Sequence, residues 1–287
     1  MGDGLRLVAL VGLAMLAFAG NSLLNRAALA GTEISPALFA AIRLASGAAA
    51  LAALALAGRG SVPLRSAGRA GDAAALAVYV LGFSFAYRWL GAGIGALVLF
   101  GTVQITMFAG AVIGGETLAL RRWIGAGLAF GGLVWLLWPG GPAPLPLEGA
   151  ALMAAAGLGW GLYSLRGRRP QEEAAQDPTA RTAANFMLAT PLALLVLAGT
   201  GHGTVDPRGL LLAVVSGAMT SGLGYALWYG VLPKLRASSA AVAQLTVPVI
   251  AMAGGLLLLG EAPSLRQVLA MVLVIGGVGW SLRSKPD

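Results

Sequence analysis

The sequence contains no cysteine and a single histidine, His202, among 287 residues. Disulfides, thiol nucleophiles and thiolate metal sites are thereby excluded, and a histidine-based metal or general-base set lacks a second member. Charge is equally sparse, with Asp, Glu, Lys and Arg making up 10% of the chain against roughly 25% in soluble domains. None of the acids falls in the middle of an apolar run. Asp3, Glu33, Asp72, Glu116, Glu148, Glu172, Glu173, Asp177, Asp206, Glu261 and Asp287 all sit in connecting segments or at the ends of such runs, so a proton relay through a mid-membrane carboxylate is not expected. Apolar residues are what the chain has in excess: 58% of it is hydrophobic, with a mean hydropathy of +0.82. That composition belongs to an integral membrane protein. The net charge of +8 is scattered in small groups between apolar runs, where it sets topology; no nucleic-acid partner is expected.

Crossing the hydrocarbon core takes about 20 apolar residues. Ten stretches qualify, at roughly 7–29, 36–57, 72–90, 94–114, 121–139, 147–166, 179–199, 209–232, 238–259 and 265–282. The predicted fold is an all-α integral membrane protein of ten transmembrane helices. The first stretch follows Arg6 and contains Ala17-Phe18-Ala19, which looks like a signal-peptide cleavage site. It continues to about Ala30, however, too long for a signal core, and is expected to remain as the first span.

Landmarks of the first half recur at one offset in the second. Glu116 returns as Glu261, Leu120-Arg121 as Leu265-Arg266, and Gly131-Gly132-Leu133-Val134-Trp135 as Gly276-Gly277-Val278-Gly279-Trp280. The join is Pro139-Gly140-Gly141-Pro142-Ala143-Pro144-Leu145-Pro146, which cannot continue a helix. Residues 1–142 and 143–287 are thus expected to be two five-helix repeats. An odd number of spans per repeat inverts the second, the architecture of many secondary transporters.

Cations fix the direction. With the N-terminus inside, the cytoplasmic loops collect Arg6, Arg59, Arg65, Arg69, Arg121, Arg122, Arg166, Arg168, Arg169, Arg181, Lys234, Arg236, Arg283 and Lys285. The outer side holds only Arg26, Arg88, Arg208 and Arg266. Both termini are expected in the cytoplasm, Glu116 on the inner side and Glu261 on the outer.

The Glu at the end of the fourth span of each half, the Gly-Gly and Trp of the fifth, and the series Tyr229, Ala240-Ala241, Pro248 and Glu261 resemble the ten-helix EamA-type exporters of the drug/metabolite transporter superfamily. The likeness covers the whole chain; the first half departs from it at Val103, where the second has Pro248. Within the family the chain looks most like bacterial amino-acid exporters, including those for aromatic amino acids. The resemblance implies a small-molecule substrate, the bacterial inner membrane, no cofactor, and a cavity lined by helices one, three, four, six, eight and nine.

Arg43 is the one cation inside a span, about seven residues from the end of the second. An intramembrane ionisable group is a functional candidate that would attract a substrate carboxylate; it could equally snorkel to the interface. Asn21, Gln104, Thr220 and Gln244 lie within spans one, four, eight and nine, where they can bond a zwitterion's head group or join helices. Asn185, in span seven, reads as a helix joiner. Tyr79, Trp160, Tyr163 and Tyr225 are the deepest aromatics and the candidates for a pocket, whereas Tyr229 and Trp280 read as interfacial anchors. Pro248 should kink the ninth helix and free the carbonyl of Gln244, and Pro191 should do the same to Met187. Gly91 and Gly95, Gly110 and Gly114, Gly127 and Gly131, and Gly157 and Gly161 read as close-packing faces. Glu116 and Glu261 read as caps of the helices that follow them.

The leading expectation is a monomeric exporter of amphipathic amino acids, rocking two inverted halves without proton coupling; the alternative is an exporter of another small metabolite or drug-like compound. An embedded enzyme lacks its usual nucleophile, metal and base sets. A scaffold would need more extramembrane chain than the longest loop, about 167–180, provides.

Overall fold

Within lipid no water can satisfy the backbone, so an apolar chain of this composition must pair its amides internally. The computed structural model describes residues 3–59, 70–138, 145–167, 178–201, 203–235 and 237–281, and these are helical apart from short turns. The linker residues 139–144, His202, and the loop charges Arg65, Arg69, Arg168, Arg169, Glu172, Glu173, Asp177, Arg236, Arg283, Lys285 and Asp287 lie outside the described residues. In chain order the spans are α1 (Asp3–Gly31), α2 (Pro36–Arg59), α3 (Ala70–Ala86), α4 (Ala92–Ile113), α5 (Leu120–Leu137), α6 (Leu147–Gly167), α7 (Pro178–Thr200), α8 (Pro207–Val215, Ser216–Leu223 and Gly224–Val231), α9 (Ala237–Gln244 and Thr246–Leu259) and α10 (Leu265–Ser281). Seven are long and apolar enough to cross a membrane, while α3 and α10 are shorter apolar helices. The protein is an all-α, multi-pass membrane protein.

The packing repeats when helix n is exchanged for helix n+5. α3 and α4 pack on α6 as α8 and α9 pack on α1; α2 meets α8 as α7 meets α3; α2 pairs with α7, and α5 with α10. The α5–α10 pair stands on glycine. A Cβ on Gly277 would lie 2.8 Å from the Gly125 carbonyl oxygen, and one on Gly132 would lie 3.0 Å from Val274. Gly132 and Gly277 are the same position of the two halves. Gly127 and Gly131 do not act as the expected packing face, because nothing comes within 4 Å of a Cβ on either. The contact lies instead on the neighbouring face of the helix. Gly157 and Gly161 do pack closely, with Cβ positions 2.6 and 2.7 Å from the Cβ atoms of Thr102 and Thr106 on α4.

Two helices are irregular. α9 is interrupted at Leu245, where Pro248 supplies no amide hydrogen to the Gln244 carbonyl. α8 widens into a π-helical stretch over Ser216–Leu223, a form that recurs at functional sites. The helical assignment of α7, by contrast, runs through Pro191 without interruption.

Candidate functional site

At the centre of the bundle, Arg43 enters from α2 and is wholly buried. Its depth follows from the approach of α2 to α8, where a Cβ on Gly217 would lie 2.9 Å from Arg43 Cα and one on Gly47 would lie 3.1 Å from the Gly217 carbonyl. With the backbones that close, the side chain has no route to the interface and points across the bundle. Arg43 Nε donates to Ser221 Oγ at 3.0 Å and Nη2 donates to Tyr79 Oη at 2.9 Å. The guanidinium carbon stands 5.2 Å from the Tyr79 ring centroid and 4.9 Å from that of Phe83. Nη1 has no partner, and the ion pairs among the described residues are all made by other cations.

No described carboxylate compensates the Arg43 charge. Burying an ion costs several kcal/mol even after relaxation, and a desolvated ring face returns about 2 kcal/mol or more. Neutral hydroxyls share the load without neutralising the charge.

Aromatic residues pack beside the guanidinium. Trp160 lies 5.1 Å from both Tyr79 and Tyr225, and 5.7 Å from Tyr163, with which it stacks. Phe18, which the sequence did not single out, meets Trp160, Tyr225 and Trp228 edge-on at 6.4, 5.7 and 5.9 Å. Between them remains a cavity of about 10 Å³, bordered also by Asn21, Ser22 and Phe100. That is room for roughly one water molecule. The Tyr225 hydroxyl and Ser22 Oγ are buried there without a hydrogen-bond partner.

Asn21 organises the polar side of the cluster. Its Oδ1 accepts from Ser216 Oγ at 2.6 Å, Thr220 Oγ1 at 3.2 Å and Asn25 Nδ2 at 3.4 Å, while its Nδ2 donates to Tyr79 Oη at 3.4 Å. The π-helical stretch of α8 supplies Ser216 and Thr220 to Asn21 and Ser221 to Arg43. Asn21, Arg43, Tyr79, Trp160, Tyr163, Thr220 and Tyr225 are therefore gathered in one connected cluster. On its flank, Tyr163 Oη accepts from Asn185 Nδ2 at 3.1 Å.

Gln104 and Gln244 stand apart, in a cavity of about 230 Å³ with Met107, Arg181, Trp228 and Tyr229. Tyr229, expected as a surface anchor, thus faces this cavity. Pro248 is buried in α9 and borders neither space. The two spaces are about one helical turn apart along α4, from Phe100 to Gln104, and along α8, from Tyr225 to Trp228. α1, α3, α4, α6 and α8 line the inner space and α9 enters through the wider one, which α7 also lines.

A second cavity of about 230 Å³ lies at the other end of α4, bordered by Arg26, Trp89, Ile94, Leu145, Met252 and Glu261. Glu261 Oε1 accepts from Arg26 Nε at 2.6 Å, and Oε2 accepts from the Ala92 amide at 2.7 Å. Arg26 Nη1 donates in turn to the Tyr87 and Arg88 carbonyls at 3.0 and 3.2 Å. The sequence reading of Glu261 as a cap for its own following helix is corrected here. Ser264 and Gln267 already cap α10 reciprocally, Ser264 N donating to Gln267 Oε1 at 2.9 Å and Gln267 N to Ser264 Oγ at 3.3 Å. Glu261 is left to cap α4, in the other half of the molecule. Glu116, beyond the opposite end of α4, is exposed and reaches only Arg122, at 3.9 Å; the first turn of α5 has no side-chain cap bond.

Comparison with known proteins agrees with this architecture. Residues 147–283 match the EamA-like transporter family. The chain is 50% identical over 275 residues to an uncharacterized protein of Pseudomonas aeruginosa, covering 95% of this chain and 93% of that one. It is 25% identical over 198 residues to a probable amino-acid metabolite efflux pump of Salmonella typhimurium, covering 65% of this chain and 66% of the other. It is 30% identical over 164 residues to the threonine/homoserine exporter RhtA of the same species, covering 54% of this chain and 53% of the other. A solved crystal structure superposes with a TM-score of 0.68 over 96% of both chains at 21% identity, a likeness of fold alone. The protein belongs to the EamA-like transporter family of membrane exporters.

Proposed function

We propose that this chain exports amino acids, aromatic and other amphipathic ones above all, across the bacterial inner membrane. The observation that carries the reading is the buried Arg43 guanidinium with a free Nη1, set against Tyr79 and Phe83, with Trp160 and Tyr225 packed beyond Tyr79. It offers a carboxylate anchor beside a surface for a ring. The printed names of the two Salmonella relatives support an amino-acid substrate.

Transport proceeds by alternating access of two inverted five-helix repeats, residues 1–142 and 143–287, with both termini in the cytoplasm. The cavity of Gln104 and Gln244 then opens inward and that of Arg26 and Glu261 outward. A monomer suffices, because both repeats contribute to the central cluster. In the opposite state the exchange-related residues trade roles, Glu116 capping α9 at Ala237 as Glu261 caps α4 at Ala92. Every described acid lies at a helix end or in a connection, which supports facilitated efflux along the substrate gradient.

Counterflow tests the reading. Labelled phenylalanine added outside proteoliposomes preloaded with the unlabelled amino acid accumulates transiently, and liposomes without protein show no such accumulation. If native proteoliposomes match the empty ones, the substrate assignment falls and drug-like compounds or other metabolites become the class to test.

A further inference from the structure

Taking the central cluster as the substrate site, we infer that it holds amphipathic monocarboxylates lacking a free ammonium group, in preference to zwitterions with the same side chain. Their net export moves one negative charge per cycle. The argument rests on the buried Arg43 charge, which no described carboxylate meets, and on the hydrogen-bonding groups beside it.

The acceptors that face the guanidinium are engaged, whereas Asn185 Oδ1, beyond Tyr163, has no partner. Asn21 Oδ1 receives bonds from Ser216, Thr220 and Asn25. Tyr79 Oη receives Arg43 Nη2 and Asn21 Nδ2, and Ser221 Oγ receives Arg43 Nε. Each of these two hydroxyls therefore retains its own hydrogen for donation. Arg43 Nη1 is spare and can only donate, the Tyr79 and Ser221 hydroxyls keep their hydrogens, and the unpartnered Tyr225 and Ser22 hydroxyls can donate or accept. The uncompensated Arg43 charge and the two hydroxyls it bonds suit a carboxylate, which only accepts and carries about four lone-pair sites, and the Tyr225 and Ser22 hydroxyls border the cavity on the other side of Tyr79. A carboxylate in this place neutralises Arg43 and fills the empty valences together.

An ammonium group brings three more donors and a second positive charge into the same enclosure. No described carboxylate is within ion-pair distance of Arg43, so none stands beside it to receive that charge, and the nearest amide oxygen is already engaged. A zwitterion thus leaves the buried site with a net charge, whereas a monoanion leaves it neutral, the cheaper state in a low-dielectric surround. The rings of Phe18, Trp160 and Tyr225 suit an aryl or branched apolar tail. Since the cavity is only about 10 Å³, the tail must part the rings, and the wider cavity one turn away gives it the space from which to do so. An inside-negative membrane potential then drives such an anion outward, and every described acid lies at a helix end or in a connection.

Three derivatives of one side chain separate the possibilities. Phenylalanine is a zwitterion, N-acetylphenylalanine keeps only the carboxylate, and phenylalaninamide keeps only the ammonium. Full-length protein in proteoliposomes is assayed for counterflow of each, and for net efflux under a potential set by potassium and valinomycin. N-acetylphenylalanine is expected to be carried at least about threefold faster than phenylalanine at limiting concentration, with efflux accelerated by an inside-negative potential. Phenylalaninamide is expected neither to move nor to compete. Arg43→Gln should abolish carriage of the anion, and Arg43→Lys should restore part of it, with thermal unfolding in detergent verifying that both variants fold. Transport of phenylalanine without N-acetylphenylalanine overturns this inference and leaves the proposed function standing. Carriage of phenylalaninamide, or of the anion by Arg43→Gln, removes the carboxylate anchor. Transport of none of the three sinks the proposed function and the inference with it.

Discussion

The two ends of α4 carry the same carboxylate in different circumstances. Glu261, near its first residue, is held by a guanidinium at 2.6 Å and a backbone amide at 2.7 Å, and it joins α1, α4 and the α9–α10 turn. Glu116, just past its last residue, is its counterpart by sequence and, among the described residues, pairs only with Arg122 of its own half, at 3.9 Å. The tie between halves at that end is the looser Arg166–Asp72 pair, at 3.7 Å. A duplicated sequence does not impose duplicated contacts; under the proposed alternation, a carrier at rest in one state satisfies each latch only on one side. The comparison teaches that, among the described residues, the Glu261 end is fastened more tightly than the Glu116 end.

Mutation should grade accordingly. Glu261→Gln is expected to cost the most, about 1 to 3 kcal/mol, since it strips the charge from a partly buried pair and leaves Arg26 facing carbonyls alone; thermal unfolding in detergent measures it. A double-mutant cycle on Arg26 and Glu261 should return a coupling energy of similar size, whereas Arg122 with Glu116 should return under about 0.5 kcal/mol. Asp72→Asn belongs between them, near 1 kcal/mol or less, because Arg166 is half exposed. Glu116→Gln should scarcely alter stability and yet slow turnover by about threefold or more, because its latch forms in the opposite state. Equal thermal shifts for Glu116→Gln and Glu261→Gln would erase the contrast between the ends.

Much of the site was legible because polarity and ring size are conspicuous in apolar spans. Arg43, Asn21, Tyr79, Trp160, Tyr163, Thr220 and Tyr225 stand out by depth alone, and the structure gathers them. Depth is what an apolar sequence reveals; azimuth is what it conceals, since a lipid-facing side and a core-facing side are equally hydrophobic. For that reason nothing in the sequence marks Phe18 although it lies one turn before Asn21, the packing face belongs to Gly125 and Gly132 and not to Gly127 and Gly131, and Tyr229 faces a cavity and not the surface. Ser22, Ser216 and Ser221 gave a faint signal as small polar residues near other candidates. The π-helical stretch that presents the last two gave none. Nor could local sequence show that Glu261 reaches Arg26, 235 residues away, although the Ser264 and Gln267 pair was readable as a capping box and would have freed Glu261 for another task.

Alternation of the two ends around one bound substrate is the central claim, and the absence of native cysteine makes it directly measurable. Single cysteines are placed at Leu145, in the cavity beside Glu261, and at Met107, in the cavity beside Gln104. Labelling of each by a membrane-impermeant maleimide is followed with and without substrate in membranes of known orientation. The account predicts that substrate changes the two rates in opposite directions and that Glu261→Gln, by releasing the latch, raises labelling at Leu145→Cys while lowering it at Met107→Cys. Rates that rise or fall together at both positions would contradict alternating access.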